Sequence, residues 1–209
     1  MRELGRILAI ATLLLSVQSV IAQSADRVEA PADEATALVP ATNPNLVKNP
    51  SFENTKKTWQ DTRCNYMSLT AGATTIPHWT VSSTTINEIV WAMTPTCDAH
   101  TAAAGTFFLD LTGFGGDSPN GAVQQTLQNL TVGHTYNFSI DMITDNLPPL
   151  VTIGGITITL TPSRTIKKGN DVWTVEIGTF VAQASSLVLE IQHQAFEIGF
   201  VDSVIVRAQ

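Results

Sequence analysis

The chain has 209 residues, of which 44% are hydrophobic and 14% are charged, and its formal net charge is −7 at pH 7. A chain of this length can bury one substantial core, and two full domains would be crowded. A protein that holds nucleic acid by neutralising phosphates needs a surplus of Lys and Arg. The sequence therefore predicts one domain and no nucleic-acid partner.

Residues 1–22 have the pattern of a secretory signal peptide. Arg2 and Arg6 give a basic start, an apolar run follows, and Val20-Ile21-Ala22 offers small residues for cleavage after Ala22. The apolar run is shorter than the ~20 residues that span a bilayer, and no second run of that kind follows. We expect a protein without a membrane anchor, secreted to the extracellular space, or to the periplasm if the source is a Gram-negative bacterium.

Residues 23–44 read "QSADRVEAPADEATALVPATNP" and are rich in Ala, Pro and acidic residues. They keep neither a helical nor a strand period for long. This composition is typical of a disordered or extended linker, and its acids are expected to be solvated.

Residues 45–209 have the pattern of a single all-β domain. Short segments rich in Val, Ile, Thr and aromatic residues recur between Gly, Pro, Asn and Asp, which is typical of a sandwich or barrel. In "HTYNFSIDM" the residues Tyr136, Phe138, Ile140 and Met142 alternate with polar ones, so one side of this strand should face a core. We predict a jelly-roll β-sandwich of about ten antiparallel strands. The predicted strands are "NLVKNPSFE", "IPHWTV", "TINEIVWA", "TFFLDLT", "AVQQTL", "HTYNFSIDM", "ITITL", "WTVEIGTFVA", "SLVLEIQ" and "GFVDSVIVRA".

Two acidic residues in the first and last predicted strands point to a metal. In "GFVDSVIVRA" strict alternation places Asp202 on the same face as Phe200, Val204 and Val206, and Glu53 follows the apolar Phe52 directly. An unpaired buried carboxylate is costly. If the first and last strands lie side by side, one Ca²⁺ could bridge Glu53 and Asp202 with nearby carbonyl oxygens. Alternatively, each acid caps backbone N–H groups or pairs with an arginine.

The order of these segments resembles a known family. "NLVKNPSFE", "IPHWTV", "GTFFLDLTG", "GAVQQTL", "HTYNFSIDM", "WTVEIGTFVA" and "GFVDSVIV" follow the pattern of galactose-binding-like modules, above all the DUF642 family and related carbohydrate-binding modules. The resemblance implies a secreted, non-catalytic module that associates with cell walls or extracellular polysaccharide. It also implies a structural calcium ion, with Glu53 and Asp202 in the positions of the acids of the family. Ser203 follows Asp202, where the family often has a second acid or Asn.

Cys64 and Cys97 are the only cysteines. An even count in a secreted chain favours a disulfide. The alternative is a zinc site, because Cys97 and His100 have C-x-x-H spacing and Cys64 and His78 lie upstream, although the second pair lacks the close spacing of structural zinc sites.

Aromatic rings that stack on sugars, and polar side chains that meet hydroxyls, are what a glycan site needs. Trp79 and Trp173 lie in apolar strands and are expected in the core. Trp59, Tyr66 and Trp91 lie in or beside the segment between the cysteines and are the ligand candidates, with burial under that segment as the alternative. The Gly-rich "LTGFGGDSPNG" adds Asp117 and Asn120 as candidate hydroxyl contacts, although turn formation alone explains such a stretch.

We predict that the protein is not an enzyme. A glycosidase needs two carboxylates facing each other across a cleft, ~5–10 Å apart. No such pair stands out from Asp141, Glu176 and Glu190, which are expected to face solvent, and no nucleophile or phosphate-loop motif is present. The alternative to a carbohydrate-binding module is a structural or adhesive protein of an envelope or matrix without a defined sugar ligand, and a glycoside hydrolase is the third reading.

Overall fold

The fold comes from a computed structural model, which describes residues 43–54, 58–82, 88–114, 121–145, 147–194 and 198–209. The chain divides after Ala41, and Thr42–Gln209 forms one compact unit. The predicted signal peptide and all but the last residues of the predicted linker lie outside the described residues.

All regular secondary structure in the described residues is β-strand, as the alternation predicts. The strands are β1 (Tyr66–Leu69), β2 (Thr80–Val81), β3 (Ile89–Met93), β4 (Phe107–Asp110), β5 (Ala122–Leu127), β6 (Thr135–Thr144), β7 (Leu150–Ile153), β8 (Ile156–Thr157), β9 (Thr161–Lys168), β10 (Asp171–Val181), β11 (Leu187–Gln192) and β12 (Gly199–Ala208).

The strands form two antiparallel sheets. One has seven strands in the order β1-β3-β4-β12-β6-β10-β9, and the other has five in the order β2-β5-β11-β7-β8. Between them lies the main core, to which β6 and β12 contribute Phe138 and Val206 and to which β5 and β11 contribute Val123 and Ile191. This arrangement confirms an all-β fold of the sandwich type.

The opening segment is not a strand, which corrects the prediction for "NLVKNPSFE". Asn49 and Phe52 have positive φ angles of 49° and 59°, so the backbone turns where a strand would continue. The segment nevertheless lies beside the last strand, as expected. Leu46 N donates to Val206 O over 2.9 Å, and Val204 N donates to Pro50 O over 2.9 Å.

A second apolar cluster covers the other face of the seven-stranded sheet. It contains Tyr66, Val90, Ala92, Ala102, Ala103, Phe108, Trp173 and Phe200. Ala102 and Ala103 belong to the connection between β3 and β4, residues 94–106, which we call the covering loop. Strands β3 and β4 therefore bury side chains on both faces. Trp79 and Trp173 are buried, as predicted, the first in the main core and the second in this outer cluster.

An irregularity in β12 corrects the predicted face of Asp202. Asp202 pairs with Asp141 and Ile205 pairs with Ser139, so β12 has one residue more than β6 in this interval. The extra residue forms a β-bulge around Ser203, whose φ is 50°. Val204 and Val206 face the main core, whereas Asp202 shares the outer face with Phe200.

Candidate functional site

The predicted disulfide is present between Cys64 and Cys97, with a Cα–Cα distance of 5.1 Å. It joins the segment before β1 to the covering loop. Because both sulfur atoms are in this bond, they cannot serve as zinc ligands, and the alternative reading of the cysteines is wrong. His100 contacts Asp171 instead, with 3.0 Å between Nδ1 and Oδ1.

Asp171, at the start of β10, fastens the covering loop to the sheet. Its Oδ2 accepts a hydrogen bond from Thr101 N over 2.6 Å, in addition to the contact with His100. Trp173 Nε1 donates to Thr101 O over 2.9 Å, and the His100 ring packs against Phe200 with 4.7 Å between centroids. The disulfide and Asp171 therefore hold the covering loop from two sides.

The structure removes Trp91 from the predicted ligand contacts. Its side chain is 0% exposed and lies in the main core with Phe107, at 5.5 Å between ring centroids. A ring without an exposed face cannot stack on a sugar. Trp59 is half-buried, packs against Phe107 and donates from Nε1 to Trp91 O over 3.1 Å.

Tyr66 lies at the surface edge of the outer cluster. It is 9% exposed, and its hydroxyl lies 3.5 Å from Asp98 Oδ2. Burial raises the pKa of this phenol, and the negative charges of Asp98 and Asp110 add to that effect. The hydroxyl is therefore neutral at neutral pH and donates to Asp98.

Next to Tyr66 stands an exposed aromatic ring that the sequence reasoning did not select. Phe114 is 44% exposed, and its ring lies edge-on to that of Tyr66 with 5.8 Å between centroids. The guanidinium carbon of Arg63 lies 5.4 Å from the Phe114 centroid. Phe114 belongs to the Gly-rich stretch "LTGFGGDSPNG". An aromatic residue in a stretch that forms a turn could have indicated an exposed ring. The predicted contacts Asp117 and Asn120, in the same stretch, lie outside the described residues.

We call Arg63, Tyr66, Asp98 and Phe114 the loop surface. It combines an exposed ring, a cation, a carboxylate and a phenol hydroxyl. Asp110 lies nearby on β4, where burial raises its pKa to about 6 although Thr112 donates hydrogen bonds to it from its backbone and its hydroxyl. Such a mixture suits a polyhydroxylated ligand, because rings contact its C–H faces and polar groups its hydroxyls.

Glu53 and Asp202 both accept hydrogen bonds from the end of the covering loop. Glu53 Oε1 accepts from Thr106 N over 2.8 Å and from Phe107 N over 2.7 Å. Asp202 Oδ2 accepts from Ala104 N over 2.9 Å. Capping of N–H groups, the alternative reading of these acids, is therefore observed.

No positively charged group is among the causes that shift the pKa of Asp202. It is 0% exposed, and burial raises its pKa to about 8. The N–H groups of Ala104 and Ser203 lower the pKa, whereas the charges of Asp141 and Glu53 raise it. A cation near these carboxylates would stabilise the ionised form.

Two acids that were expected to face solvent are buried. Asp141 is 7% exposed beside Asp202 and Glu176 is 8% exposed, and burial raises the pKa of each. Asp141 is covered because it lies on the outer face of a sheet whose two faces both carry packed residues. Within the described residues, no cluster of three or more His, Cys, Asp or Glu side chains could hold a metal. Backbone carbonyls would have to supply most ligands of any cation here.

No helix among the described residues is long and apolar enough to cross a membrane.

No protein-family model matches the chain. The chain is similar to Halomucin from Haloquadratum walsbyi, with 28% identity over 152 residues. The match covers 72% of this chain and 2% of Halomucin, so the chain spans a small part of that relative's length.

Proposed function

We propose that the protein is a secreted, non-catalytic carbohydrate-binding module for a cell-wall or extracellular-matrix polysaccharide. The observation that carries the proposal is the exposed Phe114 ring, which packs against Tyr66 and lies beside Arg63. The disulfide at Cys64 anchors the segment of Arg63 and Tyr66 to the covering loop, and an anchored support limits the entropy that ligand binding costs. The two-sheet fold fits this role, and similarity to a short stretch of a far longer protein fits a module that also occurs within larger chains.

The proposed ligand is a neutral or weakly charged glycan. Phe114 would contact the C–H face of a sugar, and the buried Tyr66 would support its ring edge-on. Asp98 and Arg63, and the predicted Asp117 and Asn120, would meet hydroxyls. Because few charges take part, we expect retention to depend little on salt. Affinity for single chains should be weak, with useful retention on repetitive surfaces.

Secretion is proposed from the signal-peptide pattern together with the disulfide. Such bonds form and persist in oxidising compartments and are rare in the cytosol. A module outside the cell would meet polysaccharide directly.

A structural calcium ion at Glu53 and Asp202 is part of the proposal. The residues fit a hard cation. Among the described residues, no positive charge compensates the buried Asp202, and the hydrogen bonds to Glu53 reach Oε1 and not Oε2. These carboxylates and neighbouring carbonyl oxygens would hold the ion. Its role would be to neutralise the carboxylates and fix the covering loop against β12.

The test is retention of the secreted chain on a panel of insoluble polysaccharides. We expect Phe114→Ala to lose retention, because the exposed ring is removed. Val188→Ala is the matched control, since Val188 is also 44% exposed but lies on β11 in the other sheet. Absence of retention across the panel would support the structural or adhesive alternative. Equal retention by wild type and Phe114→Ala would exclude the loop surface, and hydrolysis of any glycan would contradict the non-catalytic assignment.

A further inference from the structure

An open groove lies on the outer face of the seven-stranded sheet, and the loop surface does not include it. The groove has a volume of about 660 Å³. One row of its floor consists of Arg207 on β12, Asn137 on β6 and Thr179 on β10, which are direct cross-strand neighbours. All three side chains are exposed.

A second row runs parallel to the first. Ile205, Ser139, Ile177 and Thr161 are cross-strand neighbours on β12, β6, β10 and β9. Neighbouring strands lie ~4.8 Å apart, so four strands give a floor of about 14 Å. This floor is long enough for an extended chain of several sugar-sized units, and Ile177, at 43% exposure, offers it an apolar surface.

The charge of the groove is opposite to that of the protein. No acidic residue is among the described residues that line it, whereas the whole chain carries −7. Within the part of the chain that the structure describes, the one ion pair joins His100 and Asp171, so Arg207 has no carboxylate partner there. Asp141 lies one row above Ser139, but it is buried, and burial raises its pKa although a hydrogen bond from Ser203 and the charge of Arg164 lower it.

The three inner strands of the floor have no free edge for a peptide strand. Strands β6 and β10 are paired on both sides, and beside Val206 the opening segment takes the other edge of β12, where Leu46 N donates to Val206 O. Recognition must come from side chains that stand up from the floor. Those side chains are hydroxyls, an amide, one guanidinium and two isoleucines, which match hydroxyl groups, an anion and C–H surfaces.

We propose that this groove binds an extended anionic glycan whose carboxylate or sulfate groups contact Arg207. Guanidinium groups bind both anions through paired N–H donors. Asn137, Ser139 and Thr179 meet hydroxyls, and Ile177 contacts sugar C–H groups. This site lies apart from the loop surface and does not depend on it.

The experiment measures binding of the secreted chain to three soluble probes by calorimetry, in the presence of chelator. The probes are an oligomannuronate, the neutral oligomannose chain obtained by reducing its carboxylates, and a sulfated oligosaccharide of similar length. We expect a charged probe to bind more tightly than the neutral chain, and rising salt to weaken that binding. Binding of one charged probe alone identifies the anion as carboxylate or sulfate.

Three variants locate the site. Arg207→Gln should weaken binding of the charged probe about tenfold to a hundredfold and leave the neutral chain unaffected, because a charge-assisted hydrogen bond is lost. Lys48→Gln removes the same charge from an exposed position outside the groove and should bind like wild type. Ser139→Trp should block the groove for every probe.

Binding of neither charged probe would overturn the proposal, as would equal affinity for charged and neutral chains or an Arg207→Gln variant that binds like wild type. Phe114→Ala should leave binding of the soluble charged probe unchanged. A loss of that binding in Phe114→Ala, with retention in Arg207→Gln, would place the anionic ligand on the loop surface and overturn the groove assignment. Failure of the insoluble-polysaccharide test would not affect this result.

Discussion

The buried carboxylate of Asp202 should make metal-free protein less stable as pH rises. The reference pKa of its carboxyl is 3.8 and the folded pKa is about 8, so the folded state binds a proton that the unfolded state has already released. The stability from this proton is complete below the unfolded pKa and is lost as pH rises through the folded pKa. In chelator, the free energy of unfolding should therefore fall between pH 4 and pH 8.

The magnitude follows from the width of that window. Each pH unit between the two pKa values costs about 1.4 kcal/mol, so three units, from about pH 5 to about pH 8, cost roughly 4 kcal/mol as an upper bound. The raised pKa of Asp110, about 6, acts in the same direction over the lower part of the range. Saturating Ca²⁺ should offset the loss at the upper end, by about 2.7 kcal/mol at a hundred times the dissociation constant.

Denaturant unfolding at about pH 5 and at about pH 8, with chelator or with calcium, measures this change in the free energy of unfolding. Asp202→Asn should flatten the part of the pH dependence that Asp202 causes and abolish the response to calcium. Asp98→Asn is the control, because it removes an exposed acid from the covering loop, whose Ala104 N–H binds Asp202. A wild type as stable at about pH 8 as at about pH 5 in chelator, or an equal slope in Asp202→Asn, would refute the reasoning about the buried carboxylate. A calcium response that survives in Asp202→Asn would refute the proposed ion site.

Three further predictions concern the loops and the core. Replacing Cys64 and Cys97 by Ser should lower the free energy of unfolding by about 3–4 kcal/mol in the chain-entropy model, and unreduced unfolded wild type should not react with a thiol label. Trp91→Ala should cost about 3–5 kcal/mol in denaturant unfolding because it empties a buried site. Asp171→Ala should cost about 1–3 kcal/mol and speed amide hydrogen exchange at Thr101, whose N–H loses its acceptor. Unchanged exchange at Thr101 would show that the covering loop does not need Asp171 to stay in place.

The strands that the sequence predicts well are those with one apolar and one polar face. In β6, Tyr136, Phe138, Ile140 and Met142 face the main core as their spacing of two requires. Strand β9 was not predicted, because it lies at the edge of its sheet and seven of its eight residues are exposed. Without a buried face, a strand leaves no alternation in the sequence.

The disulfide could be predicted, because a secreted chain with two cysteines can form only one. The burial of Trp91 could not be predicted. Ile89, Val90, Trp91 and Ala92 are all buried, since β3 lies between the main core and the outer cluster. A strand covered on both faces is apolar throughout, so its sequence does not show which residues point outward. The covering loop that causes this burial is held by long-range contacts that a local pattern does not reveal.

The bulge at Ser203 links the acid pair to the groove. Under strict alternation from Phe200, Asp202, Val204 and Val206 would share the outer face, and Arg207 would point into the core. Because β12 has one additional residue here, every side chain after the bulge points to the face opposite to the one that strict alternation gives it. Asp202 therefore stays on the outer face beneath the covering loop, while the valines enter the core and Arg207 enters the groove. A single backbone irregularity thus lets the proposed ion ligand Asp202 and the proposed anion contact Arg207 share one face of the sheet, because residues five positions apart lie on opposite faces of a regular strand.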